Sequence, residues 1–241
     1  RGMGELHLRT VLEEILDRYS LEVQTALPSI AYRETITAAA EGHHRHKKQT
    51  GGAGQFGEVY LRIAPLPAGS GFEFKSEVVG GAIPSQYIPA VESGVKQAME
   101  SGASYGYPMQ DIKVTVYDGK HHSVDSKEIA FVQAGKRAFL DAVEKARPIV
   151  MEPIVDVTFT IPADCAGGVT GDLSSMRGMV TGTEILPDTR MVVHGQAPLK
   201  EIQGYHSRLK SLTGGDGSFT MDFSHYAEVP REALDQVAAQ N

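Results

Sequence analysis

Apolar residues recur along this chain with two different periods, and the switches between them divide it into three stretches. Leu6, Leu8, Val11, Leu12, Ile15 and Leu16 share one face at helical spacing, so Glu5–Tyr19 is predicted to be an amphipathic helix. Leu21 and Val23 then suggest a short strand. A helix and one strand enclose no core, so this stretch reads as the end of a domain whose other half lies upstream.

The second stretch opens extended at Ile30, Tyr32 and Glu34. Val59, Leu61 and Ile63 alternate with Glu58, Tyr60 and Arg62, the pattern of a half-buried strand. Phe72 and Phe74 alternate again, Ile88 to Glu100 is a candidate helix, and Ile112, Val114 and Val116 form a strand running out to a polar tip at Asp118–Ser123. Asp125 with Glu128 has the form of a capping box, which starts a helix with Ile129, Val132, Phe139 and Val143 on its core face. Pro148 marks the end.

In the third stretch the order is clearer. Val155, Val157, Phe159 and Ile161 form a strand. Val169, Leu173 and Met176 form a helix stopped by Gly178. Met179–Leu186 and Arg190–Ala197 are strands joined at Pro187 and Asp188. A helix from Pro198 carries Leu199, Ile202, Tyr205 and Leu209 to a stop at Gly214 and Gly215; Phe219, Met221 and Phe223 form a last strand, and a closing helix covers Ala233–Ala239. The order β-α-β-β-α-β is that of the ferredoxin-like split unit.

Charge changes the picture locally. The 241 residues hold 23 basic and 30 acidic side chains, a net of −7, so any RNA contact must come from a local basic patch. Cys165 is the only cysteine, which excludes a disulfide within the chain and fits a reducing cytosol. No apolar stretch approaches the roughly 20 residues of a membrane span. A cytoplasmic monomer that starts inside a longer protein is the expectation.

Gly52, Gly54 and Gly57 satisfy G-x-G-x-x-G, but a strand pattern follows where a dinucleotide site needs a helix, so the string reads as a hairpin loop whose tip can approach RNA closely. His43, His44 and His46 beside Arg45, Lys47 and Lys48 raise a metal site. The cations would compete with a metal, and no carboxylate stands at ligand spacing, so a solvated charged turn or a phosphate patch is favoured and no metal is expected. His121, His122 and Ser123 supply residue types for a hydrolytic triad, yet Asp125 is better used as a helix cap, and RNA contact at a loop tip is the stronger reading. Cys165 reads as an incidental thiol at a helix start.

Seven phrases then carry a resemblance that spans the chain: RGMGELHL at Arg1, KKQTGGAGQFGEV at Lys47, IPSQYIPAVESG at Ile83, HSVDSKEIAF at His122, EPI at Glu152, GDLSSMRGMVTG at Gly171 and LKSLTGGDGSFTMDF at Leu209. In this order they resemble the C-terminal third of elongation factor G, a translational GTPase family. The resemblance implies an α+β chain: 1–26 ending domain III, 27–149 as domain IV with a ribosomal-protein-S5-like α/β sandwich, and 150–241 as a ferredoxin-like domain V with a C-terminal helix.

It also implies function. Domain IV in the family is the arm that reaches the decoding site and contacts the tRNA–mRNA duplex. Its tip loops match Gln49–Gln55 and Lys120–Asp125, which nominates Gln49, Thr50, Gly51, Gly52, Gly54, His121, His122 and Ser123 for RNA contact, with Arg45, Lys47 and Lys48 as the basic patch. Domain V faces the large subunit, where Arg177, Ser211 and Thr213 are the candidates. Translocation is the implied activity, with recycling or ribosomal protection as the alternative. The ribosome, through rRNA of both subunits, is the implied partner. No G-x-x-x-x-G-K-[ST] loop occurs here, so GTP with Mg would belong to the full-length parent and this stretch is no enzyme, with no cofactor of its own. The chain departs from the family in having Ala53 for a basic tip residue, and 6 Lys/Arg against 12 Asp/Glu from Met151 to Asn241.

Overall fold

The computed structural model of the chain describes residues 5–24, 28–49 and 54–238. Helix α1 (Glu5–Tyr19) stands where its period put it, with Val11, Leu16 and Tyr19 exposed. The strand expected at Leu21 and Val23 does not form. Both side chains are exposed, and the segment joins no ladder among the described residues.

Strand β1 (Arg33–Ile36) opens the next part. Strands β2 (Ala40–Lys48), β3 (Gln55–Pro65), β4 (Phe72–Ser76) and β5 (Ile112–Lys120) make a sheet in the order β2-β3-β5-β4. β2 and β3 form an antiparallel hairpin across Gln49–Gly54, while β4 runs parallel to β5. A parallel pair needs a crossover, and α2 (Ile88–Ser101) lies in it. Helix α3 (Glu128–Lys145) follows β5 and packs beside α2. The core between helices and sheet holds Val59, Leu61, Ile63, Ile112, Val114, Val116, Phe131 and Phe139.

Two sequence expectations for α3 fail together. Its N-cap is Lys127, without a side-chain cap bond, so Asp125 and Glu128 make no capping box. Ile129 is 47% exposed, and the buried face is Ala130, Phe131, Ala134, Gly135, Ala138, Phe139, Ala142 and Val143. A face of alanine and glycine carries a weak hydrophobic signal, yet it permits close approach. A Cβ on Gly94 of α2 would lie 2.1 Å from Val132 O of α3, and one on Gly42 of β2 would lie 2.0 Å from Ala138 O.

The remaining elements are β6 (Pro148–Pro162), α4 (Ala166–Ser175), β7 (Met179–Ile185), β8 (Arg190–Pro198), α5 (Leu199–Ile202), α6 (His206–Leu212), β9 (Ser218–Glu228) and α7 (Arg231–Ala238). β9, β6, β8 and β7 neighbour one another in that order, all antiparallel, which is the ferredoxin-like arrangement. Its core is built on Val157, Phe159, Ile161, Leu173, Ile202 and Leu209. The single helix expected after Pro198 is two, broken where Gly204 takes φ 84°. The left-handed residue after α4 is Arg177 (φ 57°), not Gly178. The chain is therefore α+β, an S5-like sandwich followed by a ferredoxin-like domain.

β1 was expected to belong with the second stretch. It does pack there, with Ile36 in the core and Glu34 accepting the amides of Ser104, Tyr105 and Tyr107, but its ladder partner is the start of β6, Arg33 opposite Met151 and Ile36 opposite Pro148. A small third core joins Tyr32, Val150, Val229 and Val237, and Tyr107 Oη donates to Val237 O at 2.8 Å.

The glycine contacts set a stability test. Gly42→Ala drives a methyl into backbone and is expected to lower unfolding free energy by about 2 kcal/mol in urea titration. Gly171→Ala, in α4 with nothing within 4 Å of the new Cβ, should gain a few tenths to about 1 kcal/mol.

Candidate nucleic-acid interface

At one end of the four-stranded sheet the β2–β3 hairpin and the β5–α3 connection converge around an open cleft of about 500 Å³. Arg45, Lys47, Lys48 and Lys120 line it with His121 and His122, against the single carboxylate of Asp125. Strand alternation explains the concentration. Arg45 and Lys47 share one face of β2, opposite Glu58 and Phe56 of β3, and the Arg45 guanidinium lies 5.4 Å from the Phe56 ring centroid.

The β5–α3 connection is fastened to β3 by its backbone. Phe56 N donates to Asp125 O at 2.9 Å, and Ser126 Oγ donates to Phe56 O at 3.0 Å. His122 N donates to Ser126 Oγ at 2.8 Å. The His122 ring closes the turn, its Nδ1 accepting from Val124 N at 3.3 Å and Asp125 N at 3.2 Å. An Nδ1 used as acceptor places the neutral ring's proton on Nε2. Asp125 Oδ2 at 3.6 Å from Nδ1 is then a near neighbour and not a hydrogen-bond partner. The side chain is 54% exposed, so the fold presents it as an N–H donor of fixed direction.

Of the residues nominated from sequence, Gln49 and His122 line the cleft, as do Arg45, Lys47, Lys48 and His121. Ser123 is exposed beside it, and His121 Nδ1 lies 3.2 Å from Ala82 O. Thr50, Gly51 and Gly52 lie outside the described residues. Gly54 lies against the Asp125 side chain, a Cβ there falling 2.7 Å from Asp125 Oδ1. Asp125, read as a helix cap, thus belongs to the tip. Phe56 and Lys120 were not singled out, although the alternation that buries Val59 turns Phe56 outward.

The histidine run is strand, not turn. His43 and Arg45 point to one face of β2, His44 and His46 to the other. His43 Nε2 lies 2.9 Å from Glu58 Oε1, which also accepts from Tyr60 Oη at 3.2 Å, while Arg45 Nε stands 3.6 Å from Oε2. Glu58 is 4% exposed. Burial would raise its pKa, but the His43 hydrogen bond, the Arg45 charge and Tyr60 outweigh it and hold the carboxyl below its ordinary range.

The elongation factor G domain IV model matches residues 28–147, and the elongation factor G C-terminus model matches 149–237. The chain belongs to the elongation factor G family. It is 46% identical over 239 residues to an elongation factor G of Aquifex pyrophilus, a match covering 99% of this chain and 34% of that relative. It is also similar to a crystal structure from Thermus thermophilus, with a TM-score of 0.88 and 42% identity over all of this chain and 36% of that one. The chain thus spans about a third of the length of its relatives.

In the C-terminal domain of this elongation factor G relative, Arg177 is held from inside. Its guanidinium grips Glu152 at 2.6 and 2.9 Å and reaches Glu201 Oε1 at 3.1 Å. Glu152 is 3% exposed and ties the end of α4 to β6. Thr213 is buried, its hydroxyl donating to Leu209 O at 2.8 Å, while Ser211 is exposed. A second clamp joins Arg208 Nε to Asp172 Oδ2 at 2.9 Å, with Tyr205 Oη on the same oxygen. The Cys165 thiol is pushed up by burial and Asp164, away from thiolate reactivity.

Two outcomes follow. Arg177→Ala strands a buried carboxylate and should cost about 3 kcal/mol, most of it recovered when Glu152→Gln is added. Asp172, held low by Arg208 and Tyr205, and Glu58 both have depressed folded-state pKa values. Their stabilisation is present above the unfolded carboxylate pKa and is lost as pH falls through the folded one. Melting temperature is therefore expected to drop between about pH 5 and pH 3, and Asp172→Asn should flatten that drop while lowering stability at pH 7.

Proposed function

We propose that this chain is the ribosome-engaging part of a GTP-dependent translocase, and that the domain IV cleft meets the tRNA–mRNA duplex in the decoding region. One observation carries the reading: in a chain of net charge −7, four cations and a direction-fixed His122 converge at the far end of a stiff sheet. Phosphate groups recruit the cations, and the Nε2–H of His122 supplies a donor for a phosphate or base acceptor without requiring protonation. Backbone bonds from Phe56, Ser126 and Asp125 fix where that donor stands, so little ordering is left for the moment of contact.

GTP binding and hydrolysis belong, in this reading, to the upstream part of the longer protein. The chain's own contribution is mechanical: an arm swung by nucleotide state occupies the space the tRNA leaves and blocks its return. Contact with the large subunit falls to the α6 end of domain V, where the Ser211 hydroxyl is exposed and Lys210 adds charge. Arg177 contributes there by shaping α4, its donors being committed to Glu152 and Glu201.

Toeprinting of a stalled pre-translocation ribosome with the full-length parent and GTP tests the proposal. The wild type should advance the toeprint by one codon, and His122→Ala or Gln49→Ala should slow that advance by about tenfold or more without altering GTP hydrolysis. Ribosome binding with no advance would favour recycling instead.

A further inference from the structure

The outer face of the domain IV sheet, away from α2 and α3, continues inward from the cleft with groups that the tip does not use. Strand alternation sends Val59, Leu61 and Ile63 to the core and Tyr60 and Arg62 to this face. His43 stands directly across from Tyr60, and their rings are stacked with centroids 4.1 Å apart and planes 19° apart. Tyr117 follows at 6.3 Å from Tyr60. A bulge in the β3–β5 pairing, between Tyr60 and Leu61, leaves Tyr117 without a register partner. The Arg62 guanidinium lies 5.6 Å from the Tyr117 ring centroid.

Each member of this ribbon is anchored by a carboxylate. Tyr60 Oη donates to Glu58 and Tyr117 Oη to Glu41 at 3.3 Å, while Arg62 pairs with Glu77. The anchors consume the polar ends of the rings and hold their planes. Arg45 and Arg62 offset the charges of Glu58 and Glu77. What remains for a ligand is π surface, and the stack is open at its outer member, His43, whose side chain is 43% exposed.

We propose that this ribbon is a second RNA-contact site, which takes unpaired nucleotides by base stacking on the His43–Tyr60 pair where they leave the cleft. It rests on the reading of the cleft as an RNA interface. The chemistry of the two sites differs in a measurable way. Cations in the cleft bind phosphate and release counterions, so their share of affinity falls with salt. Stacking on carboxylate-anchored rings is nearly independent of salt and requires a base free of its own duplex.

The test is fluorescence anisotropy of the 241-residue chain with fluorescein-labelled oligo(U) of about 12 nucleotides, titrated over a range of KCl, beside an RNA duplex of equal length. His43→Ala is expected to weaken oligo(U) binding by about tenfold at every salt concentration, leave the salt slope unchanged and leave duplex binding unchanged. Tyr60→Leu should do the same. His43 is half exposed, so its variant decides the matter if Tyr60→Leu fails to fold. Replacing Lys47 and Lys48 by alanine should instead reduce the salt slope by about one per lysine; an unaltered slope would refute the cleft reading by itself. A lowered melting temperature with unchanged oligo(U) affinity in His43→Ala would mean that the rings serve only as a cross-strand pair, and would overturn the proposal. Absence of oligo(U) binding by the unsubstituted chain would overturn it as well.

Discussion

Strand β6 is the constraint on which the arrangement of this chain depends. Its first residues pair with β1, and the rest pairs with β8 along one edge and β9 along the other. An unbroken strand cannot hinge without giving up ladder hydrogen bonds on both sides. The two cores are therefore joined through backbone at Pro148–Met151, and the small core around Tyr32, Val150, Val229 and Val237 covers that joint. Helix α7 closes over it through the Tyr107–Val237 hydrogen bond. A load applied to the C-terminal domain is thus passed to domain IV through hydrogen-bonded backbone.

Domain IV is stiffened by a different means. Gly42, Gly94 and Gly135 remove side chains where β2, α2 and α3 come closest, and alanines fill the rest of the α3 face. Close backbone approach raises packing density without large side chains. It also explains why the tip can be polar: the hairpin and the β5–α3 connection are held by bonds between Phe56, Asp125 and Ser126, so the cationic side chains at the tip are not needed to build it.

Much of this was legible in sequence where a single period ruled. The α1 limits and the Val59–Ile63, Ile112–Val116 and Val155–Ile161 strands follow directly from alternation or helical spacing, as does the ferredoxin-like order. The failures have two causes, a weak local signal and contacts distant in sequence. Much of the α3 face is Ala134, Gly135 and Ala138, which carry almost no hydrophobic signal, so the pattern points to Ile129, which is exposed. Asp125 offered a capping box by local spelling, but the connection is fixed by contacts with Phe56, some 70 residues earlier in the chain. β1 pairs with a strand more than a hundred residues away. The tip residues Gln49 and His122 were reached through resemblance to the family, whereas Phe56 and Lys120 could have been reached by carrying the strand alternation to its end.

A net charge says little about where a surface is positive, and the reason is physical. Domain V carries 12 acidic against 6 basic residues from Met151 onward, which invites the picture of a surface hostile to RNA. But Glu152 is buried beneath Arg177, Asp172 is held by Arg208 and Tyr205, and Glu201 completes the first clamp. These three carboxylates are structural and spend their field locally on Arg177 and Arg208, which still leaves nine acidic against four basic residues in domain V. In domain IV, Glu58 does the same for His43 and Arg45, and Glu34 accepts the backbone amides of Ser104, Tyr105 and Tyr107. A partner approaching from solvent meets the uncompensated remainder, and at the domain IV tip that remainder is positive. The same carboxylates that make the chain acidic on paper fix the directions in which its cations and rings can act.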